Sequence, residues 1–229
     1  MNRSEVVKKA WITRLQRHVY KVDIKQFEEV TTPEVAYLLG LLWADGWIHT
    51  APKYSSVALE CLADDMKDFY PIFQTTGLWK QYFRHRANRR PQCCVKICHK
   101  PLVQLLLGLG YGTKSSASHA TVLNHIPATL HQYWLRGFFD GDGCYSCGDI
   151  SFSGPYEQDW SALHSILADL GVFSSSYRRI DKRTGNKQST LRIRRKADIS
   201  RFMKYCFGDV SFKSLQRKQK IAEPFLASL

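Results

Sequence analysis

Hydrophobic and polar positions along this chain follow one texture that runs through twice. From Thr32 a nearly unbroken apolar block, Val35 to Ala44, predicts a buried helix with Thr32 as its cap and Pro33 in its first turn. After Gly46 the period drops to two, so Trp47–Thr50 and Ser55–Leu62 read as a hairpin around Ala51-Pro52-Lys53. A helix from Asp64 through Phe73, stopped by Gly77, precedes strands Leu78–Arg86 and Gln92–His99 and an apolar helix Pro101–Leu109. The second pass repeats this order. An apolar block around Trp134–Phe139 leads into a hairpin, Tyr145–Ser153, turning at Cys147-Gly148. A helix Pro155–Leu170, strands Ser174–Asp181 and Lys187–Arg194, and helices Asp198–Cys206 and Phe212–Leu226 complete it. Each half is α-β-β-α-β-β-α, an α+β pattern, with Asn124-His-Ile-Pro127 as the seam and no low-complexity linker.

The two apolar blocks are variants of one sentence. Tyr37-Leu-Leu-Gly40-Leu-Leu-Trp-Ala-Asp45-Gly46 lies over Trp134-Leu-Arg-Gly137-Phe-Phe-Asp-Gly-Asp142-Gly143. Gly40 and Gly137, and Asp45 and Asp142, are offset by the same 97 residues. Small residues recur one helical turn apart, at Ala36, Gly40 and Ala44 and at Gly137 and Gly141, a spacing that lets two helix backbones approach closely. Gly46 and Gly143 are expected to end the helices in a left-handed conformation. If the helices pack through Gly40 and Gly137, Asp45 and Asp142 emerge side by side at the same end. A carboxylate is disfavoured at the negative end of a helix, and two together repel further, so their ionisation is opposed. A divalent cation relieves the conflict, and carboxylate and carbonyl oxygens suit Mg²⁺.

This pair of blocks resembles the LAGLIDADG homing endonucleases, whose name spells the motif matched by Leu38–Gly46 and Leu135–Gly143. The first copy departs at Trp43, where the family often has an acidic residue; the second keeps Asp140. The resemblance covers about residues 33–226 and implies a single-chain enzyme of two fused half-domains, 33–125 and 126–229. It implies two antiparallel sheets forming a DNA-binding saddle, with the motif helices packed at the interface through Gly40 and Gly137. The implied activity is a metal-dependent, staggered double-strand break with 3′ overhangs in a long DNA site. Asp45 and Asp142, with the carbonyls of Ala44 and Gly141, would hold Mg²⁺; Mn²⁺ would substitute, and Ca²⁺ would bind without supporting cleavage. The family also places a catalytic lysine near each active site, where its ammonium would stabilise charge developing on the scissile phosphate or orient the attacking water. Lys114 fits the first, and Lys218 is favoured for the second, with Lys213 and Arg217 as rivals.

Charge agrees with an anionic partner. The 229 residues carry a net charge of +13 at an ordinary globular apolar content of 44%, and the isoelectric point is near 9.5. The cations concentrate on the third and fourth strands of each half. The first half offers Arg84, His85, Arg86, Arg89, Arg90 and Lys96. The second offers Arg178, Arg179, Lys182, Arg183, Lys187, Arg192, Arg194 and Arg195. Among them Gln81, Gln92, Asn186 and Gln188 are candidate base readers. The basic loops differ between halves, which implies a non-palindromic double-stranded site read by a monomer. Residues 1–32 form an extension in which Val6-Val7, Ala10-Trp11 and Leu15 predict a short basic helix, either an arm on the DNA flanks or a cover for the core.

Other classes fall away. No apolar run approaches the roughly 18 residues that span a bilayer, and the start lacks the apolar core of a signal peptide, so a soluble intracellular protein is expected. Seven cysteines argue for reduced thiols. Cys144 and Cys147 have zinc half-site spacing with Cys93, Cys94 and Cys98 as possible partners, but strand alternation splits Cys93 from Cys94, and buried thiols are the better reading. Gly108–Ser115 nearly spells a phosphate-binding loop but has Thr113 where Gly is required and follows a helix. An intein is not expected, because the sequence begins with Met and ends Ala-Ser-Leu, without the nucleophile and terminal Asn that splicing needs. The alternative reading is an RNA-binding intron maturase, alone or combined with cleavage, or a DNA-binding regulator that no longer cleaves.

Overall fold

The computed structural model describes residues 4–8, 22–51, 54–85, 87–88, 90–114, 118–180 and 184–227. At its centre lie the two motif helices, Pro33–Asp45 and His131–Asp142. The Thr32 hydroxyl accepts from the Val35 N–H at 3.4 Å, and Pro33 opens the first helix as expected. Their contact is backbone on backbone. A Cβ on Gly40 would fall 2.0 Å from the carbonyl oxygen of Trp134, and one on Gly137 would fall 2.1 Å from that of Tyr37. The approach is reciprocal, as two related half-motifs facing each other require.

Each motif helix feeds a four-stranded antiparallel sheet. β1 (Gly46–Thr50), β2 (Ser55–Leu62), β3 (Lys80–Arg84) and β4 (Gln92–Ile97) pair in the order β1-β2-β4-β3. β5 (Gly143–Ser146), β6 (Asp149–Pro155), β7 (Ser175–Ile180) and β8 (Lys187–Ile193) pair as β5-β6-β8-β7. Helices Ala63–Thr76 and Ser161–Asp169 cross between the second and third strands of each sheet; Lys100–Gly108 and Lys196–Phe207 follow the fourth. Gln216–Leu226 closes the described chain. The repeated α-β-β-α-β-β-α order is therefore real. Leu59, Val95, Phe152 and Leu191 are buried between sheets and helices.

Several expectations need correction. Gly46 and Gly143 end the motif helices in extended backbone, at φ −75° in both, so left-handed freedom is not why they are glycine. The reason is steric. A Cβ at Gly46 would lie 2.5 Å from the Leu42 carbonyl oxygen, and one at Gly143 would lie 2.2 Å from the Phe139 ring. The helix expected from Pro155 begins at Ser161, because Pro155 still pairs with Gln188 at the end of β6. The terminal helix starts at Gln216 rather than Phe212, since buried side chains hold the backbone just ahead of it. The thiols are not uniformly buried. Cys93, Cys94 and Cys206 are, but Cys144 and Cys147 are exposed. Cys144 sits on an edge strand, and Cys147 stands in the two-residue turn with Gly148, both at positive φ (52° and 77°).

Residues 4–8 of the extension are helical, and the remainder of the helix expected to Leu15 lies outside the described residues. A further helix, Ile24–Glu29, was not legible from pattern. It buries Phe27, whose carbonyl lies 2.7 Å from His125 Nε2, so at least this part of the extension covers the core.

The two halves share one aromatic cluster around His119, which is fully buried. Its ring packs on Trp43, Trp134, Phe138 and Trp160 at centroid distances of 5.1, 5.8, 5.3 and 5.4 Å. Burial drives its pKa from 6.5 down to about 4. The unfolded chain therefore takes up this proton first, and stability should fall as pH drops through the window from about 6.5 to about 4, by about 3 kcal/mol in all. Thermal melting against pH should show a shallower acid loss in His119→Phe than in the parent; parallel curves would remove this assignment.

Candidate active site and nucleic-acid interface

Packing the helices through Gly40 and Gly137 brings their C-terminal ends together. A Cβ on Gly141 would meet the Cβ of Ala44 at 2.3 Å and Oδ2 of Asp45 at 3.2 Å, so the Asp45 carboxylate lies against the end of the opposite helix. Asp45 remains exposed and Asp142 half-buried. Protein crowding on their inner sides nevertheless opposes ionisation. Burial raises the Asp45 pKa, while Lys218, Lys114 and Arg217 pull it back. Asp142 is pushed up to about 6 by burial, with the neighbouring Asp45 adding to the effect against Lys114 and Lys218. The neighbouring acid thus opposes ionisation at Asp142, as the motif led one to expect, while burial does most of the work at both.

Behind each acid sits a lysine. Lys114 Nζ donates to the carbonyls of Trp43 at 2.8 Å and Gly46 at 2.5 Å, with Leu42 and Ala44 at 3.2 and 3.3 Å. Lys218 Nζ donates to Phe139 O, to Asp140 O at 2.8 Å and to Gly143 O at 2.7 Å. Phe139, Asp140 and Gly143 are the counterparts of Leu42, Trp43 and Gly46. Two ammonium groups therefore cap two helix C-termini in the same way, satisfying carbonyls that the helix leaves without partners. Burial lowers both lysine pKa values, that of Lys218 to about 8, where Asp140 is the largest opposing influence.

Of the three rivals, Lys218 holds the position equivalent to Lys114. Lys213 is exposed and donates to Val210 O at 3.0 Å. Arg217 instead pairs with Asp65 at 3.1 Å. The N–H of Gln216 donates to Asp68 at 2.9 Å, so the terminal helix docks onto Ala63–Thr76.

Among the described residues no group of three or more His, Cys, Asp or Glu side chains converges. Two carboxylates and the helix-end carbonyls make a partial site, which suits Mg²⁺, an ion that keeps waters and takes substrate phosphate oxygens as further ligands.

Strand register sorts the proposed nucleic-acid contacts by face. Leu59, Val95 and Gln81 share a row of the first sheet, and Phe152, Leu191 and Ser176 share a row of the second; these rows face the helices. The alternate rows form the open faces. The first carries Trp47, Lys80, Tyr82, Arg84, Gln92 and Lys96, and the second carries Tyr177, Arg179, Gln188 and Arg192. Gln81 is thus misplaced as a base reader, because one residue of register puts it on the helix side. Arg178 and Lys187 share the helix-side parity and turn to Tyr156: Arg178 Nε donates to its carbonyl at 2.9 Å, and Lys187 Nζ lies 5.8 Å from its ring. Arg194 is exposed beyond β8, and Arg90 is exposed with Asp64 3.9 Å away. Arg86, Arg89, Lys182 and Arg183 lie outside the described residues. The open faces also hold acids: Glu60 pairs with Arg84 at 2.8 Å, and Asp149 lies 3.7 Å from Arg192 and 3.5 Å from Arg194.

Sequence reasoning missed two groups. Tyr82 and Tyr177 occupy matching positions on the two open faces, and strict alternation along β3 and β7 would have found them. Arg136 and Asp140 read as ordinary motif residues but are buried, and they grip the segment before the terminal helix. Arg136 donates to Ser214 Oγ at 2.8 Å, Phe212 O at 2.8 Å and Asp209 O at 3.1 Å.

Comparison with known proteins places this architecture. Residues 130–206 match the family described as LAGLIDADG-like domain. No curated protein matches the chain by sequence. A mesophilic variant of the homing endonuclease I-DmoI superposes with a TM-score of 0.57 at 14% identity, over 77% of this chain and 96% of that one. An I-DmoI variant in complex with its nicked target DNA and Mn gives 0.56 at 15% identity, covering 77% and 96%. Another, with its target DNA and Mg, gives 0.54 at 16%, covering 77% and 97%. The match to a LAGLIDADG-like domain thus covers residues 130–206, and the fold around it carries the motif helix twice. That fold is the one adopted by I-DmoI. Among the described residues no helix is long and apolar enough to cross a membrane.

Proposed function

We propose that this protein is a site-specific homing-type DNA endonuclease that binds a long double-stranded site as a monomer and cuts both strands in a divalent-metal-dependent reaction. The observation that carries this reading is the pair of acids, Asp45 and Asp142, at two abutting helix ends, each backed by a lysine on the same carbonyls. A structural aspartate gains nothing there; a ligand set does. The DNA and metal complexes of I-DmoI support the substrate and the cation by likeness of fold.

In this reading the open faces of the two sheets hold the duplex, with Arg84, Arg179, Lys96 and Arg192 on phosphates or guanines and Gln92 and Gln188 reading adenines. Asp45 and Asp142 supply the anionic oxygens, and the carbonyls of Ala44 and Gly141 stand beside them. A bound Mg²⁺ would activate water and stabilise the leaving oxygen. This reading gives the lysines a different role from the one the family resemblance implies. Their ammonium groups are committed to main-chain carbonyls, so Lys114 and Lys218 neutralise the helix ends and favour the ionised acids instead of reaching for a phosphate.

The deciding experiment is selection of cleaved duplexes from a randomised library in Mg²⁺. One long, asymmetric site cut on both strands is expected. Binding without cutting would return the DNA-binding regulator, and preference for a structured RNA the maturase. With roughly six to ten phosphate contacts, affinity should fall roughly 10³–10⁵-fold between about 50 and 200 mM salt; a flat salt response in an anisotropy titration would remove the sheet-face interface.

A further inference from the structure

The motif position two residues before each acid differs between the halves, Trp43 in one and Asp140 in the other, and both side chains are buried. Each reaches the residue that lies three positions ahead of its own half's lysine. In the second half Asp140 Oδ2 accepts from the Leu215 N–H at 3.2 Å, and the Leu215 carbonyl in turn accepts from the Lys218 N–H at 3.0 Å. The same Oδ2 accepts the Tyr37 hydroxyl at 2.7 Å, which ties this joint to the first motif helix. In the first half the Trp43 ring meets the Tyr111 ring edge-on, with centroids 5.0 Å apart. Tyr111 donates its hydroxyl to Leu39 O at 2.7 Å and opens the short 3-10 turn Tyr111–Thr113, which runs directly into Lys114.

We propose that Trp43 and Asp140 are the lysine-positioning residues of the two half-sites, performing one task with two chemistries: Trp43 seats the Tyr111–Lys114 turn by ring packing, and Asp140 seats the Leu215–Lys218 turn by a buried hydrogen bond. Neither side chain reaches the open faces. Each acts through the lysine, and each serves its own half. The motif is therefore not free at this position, as its different residues in the two copies suggest; each residue is matched to a different lysine-bearing segment. A ring at position 140 has no tyrosine to meet, since Leu215 stands where Tyr111 does, and a carboxylate at position 43 faces a phenol already bonded to Leu39 O.

The test reads lysine protection directly, so its first arm is independent of any nuclease activity. The intact protein is treated with acetic anhydride, and labelling of Lys114 and Lys218 is followed by mass spectrometry, with thermal melting as the control for folding. Asp140→Ala is expected to raise Lys218 labelling severalfold and leave Lys114 as in the parent. Asp140→Asn, which keeps a carbonyl oxygen for Leu215 and Tyr37, is expected to restore protection. Trp43→Leu is expected to expose Lys114 alone, with Trp43→Phe restoring it. A folded Asp140→Ala in which Lys218 stays protected, or in which both lysines open equally, would overturn the proposal. If that variant does not fold, the same criteria applied to Lys114 in Trp43→Leu decide it. The second arm rests on the proposed endonuclease function. On the selected site, Asp140→Ala should slow cleavage roughly 10²-fold in single turnover, with affinity in Ca²⁺ unchanged, the cost of a misplaced group that does not bind substrate. Cleavage at the parent rate by a variant whose Lys218 is exposed would overturn the claim that the seated lysine serves the site. Half-specific loss of protection in the variants of a parent that proves inactive would leave the positioning role standing and reject the endonuclease reading instead.

Discussion

Asp45→Asn and Asp142→Asn are each expected to suppress cleavage while leaving the fold and DNA affinity in place. The substitution keeps shape and removes one anionic oxygen. A loss of at least about 10²–10³-fold is expected, the scale for deleting one charge-stabilising group in an active site. Because the Asp45 carboxylate lies against Gly141 of the opposite helix, a single substitution should impair both strands rather than one. Stability should move the other way from an ordinary active-site lesion. Burial raises both carboxyl pKa values, that of Asp142 to about 6 from 3.8. A carboxyl group raised on folding favours the native state when protonated, and that contribution is lost as pH rises through the folded value. Near neutral pH in chelator the Asn variants should therefore melt at or above the parent, and the gain should vanish below about pH 4, where the parent acids are protonated as well. Melting, binding in Ca²⁺ and cleavage in Mg²⁺ check the three parts. Undiminished cleavage by either variant would remove the metal-ligand assignment, and a lowered melting temperature with weak binding would make the acids structural.

The helix-pair core and its acids were legible because their logic is local. Glycines one offset apart, a cap at Thr32 and two terminal Asp-Gly pairs carry their meaning in spacing alone. Both hairpins were equally readable, and β2 appears with the expected bounds Ser55–Leu62. What failed was governed by contacts that spacing along the sequence does not show. Gly46 and Gly143 were read as conformational when they are steric, because the crowding at each comes from the helix turn just before it. Pro155 belongs to a strand because Gln188, far along the sequence, pairs with it. Phe212 to Leu215 read as the start of a helix by periodicity, yet Arg136 and Asp140 claim their polar groups first. Gln81 was assigned by residue type where register was decisive, and a shift of one residue reverses the face. Lys218 was favoured over two neighbouring cations without a geometric reason; the reason is that Arg217 is drawn to Asp65 across the other half.

Gly40→Ala should destabilise the protein, and Gly40→Val or Gly137→Val should do so severely. The alanine variant is the sharper test because two effects predict opposite signs. In the middle of a helix, replacing Gly by Ala ordinarily stabilises by about 1 kcal/mol through backbone entropy and propensity. At Gly40, however, the added Cβ would lie 2.0 Å from the Trp134 carbonyl oxygen and 2.9 Å from the Phe138 nitrogen. Both are backbone atoms of a packed helix and cannot swing aside as a flexible side chain does. Relief requires the helix axes to separate, and this loosens the surrounding core and the aromatic cluster around His119 together. Overpacking a core typically costs about 1–3 kcal/mol, and a backbone-to-backbone contact belongs at or above the top of that range. A loss of about 3 kcal/mol corresponds to a melting temperature roughly 6–12 °C lower in a chain of this size. Gly108 provides the control, since a Cβ there meets nothing within 4 Å and Gly108→Ala should melt like the parent. The same separation would pull Asp45 away from Gly141, so the alanine variant should lose cleavage at temperatures where it remains folded. A Gly40→Ala protein as stable as the Gly108→Ala control would mean the motif helices are not in contact through these glycines.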